Sequence, residues 1–246
     1  MISYPFPRPV CASDCVVFGW DGNLQLLLMK RNTPPFENAW ALPGRFVREG
    51  TESPQTAART ALREKTGLEL RDLFNVGVYG DPTRDPRGHT ISMAFGSLVV
   101  AKNNLPTPGG NATEAQWFPV SDLPQLAFDH AQIVSDARVI LAERLRSTPA
   151  AMAVMPPQFS VPDLRNLFAA ISSAEIDIRN FAANFTRLVE AGVFQPCGRE
   201  QNVSHRPAKL FRYQAEACEK FIAEGGRFAM STPLAAKRKR RNAQTV

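Results

Sequence analysis

Residues 40–68 of this 246-residue chain, WALPGRFVREGTESPQTAARTALREKTGL, decide the fold of its first half. A short apolar segment precedes a polar loop, and Ser53 then introduces an alanine-rich stretch. Pro54 in the first turn and Gly67 just past the last one are typical of the start and the end of a helix. The stretch therefore predicts a strand, a loop and a helix over residues 53–66.

Apolar runs on both sides of this stretch predict a mixed sheet around the helix. Two strands, Val10–Phe18 and Leu24–Lys30, are joined by Asp21-Gly22-Asn23, which is a favoured hairpin turn. Further strands are expected over Leu73–Tyr79 and Thr90–Ala101, with a short strand or turn at residues 117–120. An apolar stripe at helical spacing predicts a closing helix over Ala131–Arg146.

The charge of the chain is concentrated at its end. The formal net charge is +6, but five basic residues lie in one run, Lys237 to Arg241, and without it 24 basic residues face 23 acidic ones. DNA binding must therefore be inferred from particular positions and not from the total. No apolar run reaches the ~18–20 residues of a membrane helix, and prolines interrupt the N-terminal segment, so neither a membrane span nor a secretory leader is expected.

A segment rich in proline and alanine, residues 147–157, divides the chain. We expect a first domain over 1–148, a linker over 149–157, a second domain over 158–230 and a basic, disordered tail over 231–246.

The second domain has the pattern of a winged helix-turn-helix. Two amphipathic helices, Val161–Ile171 and Ile178–Ala191, precede two strands that flank a basic loop. If the apolar stripe of the second helix faces the core, the arginines and asparagines beside it lie on or near the outer face. Arg and Asn recognise guanine and adenine edges, and the basic loop contacts phosphates or a minor groove. The candidate DNA-binding residues are Arg179, Asn180, Asn184, Arg187, Arg199, His205, Arg206 and Lys209. A generic protein-binding helical domain is the alternative.

The segment from Gly44 to Leu68 resembles a Nudix box. In that box three carboxylates at i, i+3 and i+4 share one helical face, where they hold Mg²⁺ ions against a diphosphate. Aligned on Gly67 and Leu68, these positions are Ala61, Glu64 and Lys65. One carboxylate is kept, one is deleted and one is reversed in charge. The prediction is a Nudix fold with no catalytic residue and no metal site.

A metal-free anion site is the hypothesis that follows from this charge reversal. Lys65, with Arg45, Arg48 or Arg63, would replace the charge of the metal, although a solvated Lys65 explains the residue equally well. The loop that contains Arg84, Asp85, Arg87 and His89 adds forked donors that suit phosphate oxygens. Asp129 is expected to cap the closing helix.

The two halves together resemble one family, the Nudix-related regulators of NAD metabolism of the NrtR and NadQ type. The resemblance covers about residues 4–214 and rests on several motifs: Trp40-Ala41-Leu42-Pro43-Gly44, Asp85-Pro86-Arg87-Gly88, Trp117-Phe118-Pro119, Ala127-Phe128-Asp129-His130, Arg179-Asn180-Phe181 and the segment from Arg206 to Tyr213. It implies an α+β chain in which a Nudix-fold α/β/α sandwich is followed by a winged helix.

The same resemblance implies a cytoplasmic bacterial repressor, nucleoid-associated when bound to DNA. It would be a homodimer on a palindromic operator of NAD biosynthesis or salvage genes. It needs no cofactor and binds an NAD-related effector, typically ADP-ribose. The expected effector-binding residues are Arg45, Arg48, Glu64, Lys65, Arg84, Asp85, Arg87 and His89. Two alternatives remain: a diverged ADP-ribose or nucleotide-sugar pyrophosphatase with an accessory nucleic-acid-binding domain, and an RNA-associated adaptor, for which no aromatic stacking motif is visible.

Overall fold

The structure is a computed structural model that describes residues 8–70, 72–172, 176–201 and 207–230. The chain divides into two compact units. The first comprises residues 1–143 and 151–154, and the second comprises residues 144–150 and 155–246. Within the predicted linker, Pro149–Ala153 forms a short 3₁₀ helix and Ala151 is buried. The predicted tail, residues 231–246, lies outside the described residues.

A mixed sheet forms the first unit. Its strands are β1 (Val10–Trp20), β2 (Leu24–Arg31), β3 (Trp40–Ala41), β4 (Gly44–Phe46), β5 (Phe74–Tyr79), β6 (Thr90–Val100) and β7 (Ala112–Pro119). The main order is β3-β2-β1-β6-β5, with β4 paired to β1 and β7 paired to β2. The long strands β1 and β6 are parallel, and the predicted hairpin is confirmed because Trp20 pairs with Leu24.

Helix α1 (Pro54–Thr66) begins and ends as its sequence predicts. The Ser53 hydroxyl accepts a hydrogen bond from the Thr56 N–H, and Gly67 has the left-handed conformation, φ +70°. Small side chains, Ala57, Ala58 and Ala61, form its buried face and allow a close approach to the sheet. The helix of the Nudix-like segment is therefore packed against β1 and β4.

Helix α2 (His130–Ser147) connects the two units. Its apolar stripe, including Ile133, Ala137 and Leu141, is buried as predicted. The division between the units falls within this helix, between Glu143 and Arg144. Of the described helices, none is long and apolar enough to cross a membrane.

The second unit contains α3 (Val161–Ile171), α4 (Ile178–Glu190), α5 (Ala215–Ala223) and a sheet of β8 (Phe159–Ser160), β10 (Lys209–Tyr213) and β9 (Phe194–Arg199), in that order. Ser160 and Asp163 form a capping box at α3, and Asp177 caps α4. A cluster of phenylalanines fills the core, with Phe185 stacked on Phe194 at 4.8 Å between ring centroids. Helix α5 and the strand pairing of β8 were not predicted.

Candidate functional site

A cavity of about 300 Å³ opens in the first unit between β1, β2, β4 and α1. Five of the predicted effector-binding residues line it: Arg45, Lys65, Arg84, Asp85 and Arg87. Sequence reasoning missed the remaining lining residues, which are Ala12, Asp14, Met29, Arg31, Thr33, Leu42, Gly44, Phe46, Thr90, Asn111, Phe128 and His130.

Asp14 is a buried carboxylate at the wall of the cavity, with 7% of its surface exposed. It accepts a hydrogen bond of 2.5 Å from the Ser92 hydroxyl, and Arg84 Nη2 lies 3.7 Å from Oδ2. Because buried charges need partners, these contacts explain how an aspartate is tolerated inside the apolar strand β1. A charged residue within an apolar run is the signal by which Asp14 could have been found.

Gly44 is required by close approach and not by an unusual backbone angle. It pairs with Asp14 across β1 and β4, and a Cβ atom at Gly44 would lie 1.9 Å from Asp14 Oδ1. A side chain at this position would therefore displace the Asp14 carboxylate.

Two arginine–carboxylate forks lie in and beside the loop before β6. Arg84 donates from Nε and Nη2 to the two oxygens of Asp129, at 2.7 and 2.5 Å. Arg87 donates to both oxygens of Asp85, and this hydrogen bonding lowers the pKa of the Asp85 carboxyl. The expectation that the Asp129 side chain caps α2 was wrong, because both of its oxygens face Arg84. Its backbone carbonyl instead accepts hydrogen bonds from the Gln132 and Ile133 N–H groups.

His130 is a buried, neutral member of the same wall. Its Nδ1 accepts a hydrogen bond of 2.9 Å from the Leu42 N–H, which leaves the proton on Nε2, 3.7 Å from Asp14 Oδ1. Burial lowers the pKa of His130 below its ordinary value, against the opposing effect of Asp14. The start of α2 is thereby attached to β1 and to the Ala41–Leu42 segment.

The positions that hold metal ions in a Nudix box do not fit Mg²⁺ in this chain. Ala61 is fully buried, and the Lys65 ammonium donates to the Gly44 carbonyl. The Glu64 carboxylate is exposed and lies 3.4 Å from Arg45 Nη1. The Arg45 guanidinium also approaches the Glu52 carboxylate at 3.9 Å, so this arginine is shared between Glu52 and Glu64. The described residues contain no group of three His, Cys, Asp or Glu suited to a metal ion.

Lys65 lies in a buried position that destabilises its protonated form. Burial lowers the pKa of Lys65 to about 8, although Asp14 opposes the shift. Arg31 and Arg45 also contribute to the lower pKa. An anion in the cavity would favour the protonated form, because an opposite charge stabilises the charged state.

Aromatic rings and guanidinium groups alternate along another part of the cavity. Phe128 lies 5.0 Å from the Arg31 guanidinium and 5.8 Å from that of Arg87, which also covers Phe46 at 4.9 Å. Phe36 contacts Phe128 edge to face, with 4.7 Å between ring centroids. Phe128 has a left-handed backbone, φ +54°, which is uncommon for a bulky residue. These flat, cationic surfaces suit an aromatic anion.

Asn111 presents an acceptor without a partner. Its Oδ1 atom is buried and has no hydrogen bond within the described residues, whereas Nδ2 lies 3.5 Å from the Thr33 hydroxyl. A buried polar atom left unpaired costs about 1–3 kcal/mol, so such atoms usually meet a water or a ligand.

Three of the predicted effector-binding residues lie outside the cavity lining. The Arg48 side chain is exposed, and its backbone N–H is bound by Glu52. Glu64 reaches the cavity only through Arg45. His89 is exposed, with Nε2 3.1 Å from the Gly80 carbonyl.

In the second unit, α4 has the place of the recognition helix, directly before the β9–β10 hairpin. Its apolar face is buried as predicted, and Arg179 and Asn180 are exposed at its first turn. The Asn180 amide also donates to Asp177 at 3.0 Å.

Asn184 and Arg187 lie beside the exposed face of α4, and their role as DNA contacts stays a prediction. Both are half-buried on the flank of the helix. Arg187 Nη2 donates to the Arg227 carbonyl at 2.8 Å, and Asn184 Nδ2 lies 3.5 Å from the Met230 carbonyl. Ala183 and Thr186 are exposed instead. The residues that bind these side chains, Arg227 and Met230, are far away in sequence, so helical spacing alone could not place them.

The hairpin brings two predicted DNA contacts together. Arg199 and Lys209 are paired directly across β9 and β10, and both are exposed. Like charges opposite one another destabilise a sheet slightly, and a phosphate between them would remove that repulsion. His205 and Arg206 lie outside the described residues.

Comparisons with known proteins agree with this architecture. The NUDIX domain family model matches residues 10–137, and the model for the NrtR DNA-binding winged helix domain matches residues 151–213. The ADPR responsive transcriptional repressor NtrR of Acinetobacter baylyi is 30% identical over 212 residues, or 85% of this chain and 83% of that protein. The ADP-ribose pyrophosphatase of Methanocaldococcus jannaschii is 41% identical over 129 residues, or 52% of this chain and 73% of that protein.

Solved structures of one further relative are also similar. Shewanella oneidensis NrtR complexed with a 27mer DNA superposes with a TM-score of 0.68 at 24% identity, over 90% of this chain and 99% of that one. The NUDIX domain of the same protein, complexed with ADP ribose, superposes with a TM-score of 0.52 at 28% identity. The match covers 56% of this chain and 94% of that one. These matches confirm the predicted fold class, a Nudix fold followed by a winged helix.

Proposed function

Because the chain belongs to the NrtR family of Nudix-related transcriptional regulators, we propose that it represses transcription under the control of ADP-ribose. The winged helix binds operator DNA, and the Nudix-like unit binds the effector without hydrolysing it. The observation that carries the proposal is the cationic cavity, in which Arg45 and Lys65 stand at the place of the metal site.

The cavity suits a nucleotide diphosphate in charge and in shape. Five basic side chains and two carboxylates, Asp14 and Asp85, line it. The diphosphate binds beside Lys65 and Arg45, because these two cations lie where a Nudix box would hold metal ions. The flat surfaces of Phe46, Phe128 and Arg87 then accommodate the base or a ribose.

Effector binding in this proposal does not need Mg²⁺. Calorimetric titration of the full chain with ADP-ribose, with Mg²⁺ and again with EDTA, tests it directly. Equal affinities are expected. Binding that disappears with EDTA would contradict the proposal, since the charge would then come from a metal ion.

The DNA-bound form is a homodimer in this proposal. Two copies of α4 spaced by about one turn of DNA, roughly 34 Å, match a palindromic site. Sedimentation equilibrium is expected to give twice the mass of one chain. A monomer bound to a single half-site would contradict this arrangement.

The regulated genes are those of NAD biosynthesis or salvage, and the protein acts in the cytoplasm on the nucleoid. The test is a gel shift with DNA upstream of such genes, titrated with ADP-ribose, NAD, nicotinamide mononucleotide and ATP. We expect a shifted band that ADP-ribose removes. Release requires a difference in effector affinity between the free and the DNA-bound forms, typically worth ~1–3 kcal/mol, or about 5–150-fold.

Hydrolysis is the second candidate function, and the 41% identity to an ADP-ribose pyrophosphatase favours it. Mg²⁺-dependent release of AMP from ADP-ribose, abolished in Glu64→Gln, would support this function. Ala61 and Lys65 argue against it, because they replace two of the three box carboxylates, and Arg45 pairs with the third, Glu64.

A further inference from the structure

The last described residues of the chain, Arg227–Met230, lie against the recognition helix, and we call them the C-terminal strap. Gly225, with φ +88°, turns the chain after α5, and the Gly226 N–H donates to the Phe221 carbonyl. The strap is packed into its unit, because Phe228 and Met230 are buried, with 4% and 0% of their surfaces exposed. The Phe228 ring also packs edge to face against the core ring of Phe194, with 6.4 Å between the ring centroids.

One side of the strap is bound by side chains of α4. The Arg187 guanidinium donates to the carbonyl of Arg227 at 2.8 Å and approaches that of Ala229 at 3.5 Å. The same group lies 5.9 Å from the ring of Phe221 on α5. A charged donor on backbone carbonyls forms stronger hydrogen bonds than a neutral one, so this arginine fixes α4 against the strap and α5.

The end of the strap is bound to α2. The Met230 N–H donates to the Arg146 carbonyl at 3.0 Å, in the last turn of that helix. The first residue of the same helix, His130, lines the cavity. Helix α2 therefore begins at a residue of the cavity lining, and its last turn is bound by the strap.

We propose that the strap positions the recognition helix, with Arg187 as a positioning residue, and that release of DNA by the effector depends on this connection. The proposal rests on the proposed function of the two units. The sequence suggested that Arg187 recognises a base. The proposal assigns it a different role, which is to hold α4 in place. It also predicts that disturbing the strap changes the response to the effector while leaving effector binding intact.

The test compares full-length Arg187→Ala, Phe228→Ala and the double variant with Lys220→Ala. Lys220 is an exposed residue of α5 in the same unit, so its replacement removes the same charge without touching the strap. Selection from a randomised double-stranded DNA library with the wild-type protein defines the site and its base preferences. Gel shifts, ADP-ribose titration calorimetry and hydrogen exchange of residues 178–190 are then measured for each variant.

We expect Arg187→Ala to bind the selected site about tenfold more weakly, as for the loss of one charge-assisted hydrogen bond. Its base preferences and its affinity for ADP-ribose stay unchanged, and ADP-ribose releases less of its DNA. Hydrogen exchange in α4 becomes faster, and the double variant resembles each single one, because both changes break the same connection.

Three results would overturn the proposal. Altered preference at one base position in Arg187→Ala would mean that this side chain contacts a base. Unchanged exchange in α4 would mean that the strap does not hold the helix. Weaker DNA binding with full release by ADP-ribose would mean that the strap is structural only. If the wild-type protein selects no DNA although exchange in α4 is faster in Arg187→Ala, the proposed function would be contradicted instead.

Discussion

Arg84 and Asp129 form an ion pair in which two nitrogens of the guanidinium meet two oxygens of the carboxylate, at 2.7 and 2.5 Å. The pair joins the loop before β6 to the residue that precedes α2. Arg84 is almost fully buried, and a second carboxylate, that of Asp14, lies 3.7 Å from its guanidinium. The start of α2 is thus fixed by a charge pair at the edge of the cavity.

Asp129→Asn is expected to lower the free energy of unfolding by about 1–3 kcal/mol, because a buried guanidinium loses a charged acceptor. Urea unfolding followed by tryptophan fluorescence measures the change. Asp122→Asn, at an exposed position in the preceding turn, is the matched control. Equal stability of the two variants would mean that the ion pair contributes nothing measurable.

The affinity for ADP-ribose is expected to fall as the pH rises from 7 to 9. The pKa of Lys65 is about 8 in the free protein, and a bound diphosphate raises it, so binding takes up a proton and weakens once free Lys65 is neutral. If only the protonated form binds, the loss is about tenfold. Calorimetry over this range measures it. Lys65→Arg keeps its charge throughout and is expected to show a flat profile, whereas the same decline in both proteins would exclude Lys65 as the cause.

Asn111→Ala is expected to weaken ADP-ribose binding about tenfold, since the unpaired Oδ1 then cannot accept a hydrogen bond from the ligand. Two analogues locate the donor: inosine diphosphate ribose lacks the amino group of the base, and ADP lacks the terminal ribose. For the analogue that lacks the group contacted by Asn111, the wild-type protein and Asn111→Ala are expected to have the same affinity. Asn75→Ala, on the exposed side of β5, is the control. No change in Asn111→Ala would indicate that a water satisfies this atom.

Arg179→Ala and Lys209→Ala are expected to weaken DNA binding in different ways. Arg179→Ala at the exposed first turn of α4 costs about 1–3 kcal/mol on the selected site and relaxes its base preference. Lys209→Ala weakens all DNA nearly equally and lowers the slope of log affinity against log salt by about one. Fluorescence anisotropy on the selected site and on single-base variants, at several salt concentrations, separates the two. The reverse assignment would place base recognition in the hairpin.

The sequence alone predicted the elements that depend on local signals. The first helix, with Pro54 at its start and Gly67 at its end, and the hairpin turn at residues 21–23 formed as expected. The replacement of two box carboxylates by Ala61 and Lys65 was also visible in the sequence, because box positions are counted along one helix.

Only the tertiary structure decided which side chains meet. Asp14, Phe128 and Asn111 come from distant segments, and no spacing rule relates a residue of β1 to a loop a hundred residues later. The same reason explains Arg187. Helical periodicity placed it near the outer face of α4, but the strap reaches that flank through a turn at Gly225, and its backbone carbonyls occupy the guanidinium. Short-range propensities determine helices and strands, whereas the partners of a charged side chain depend on the packing of the whole chain.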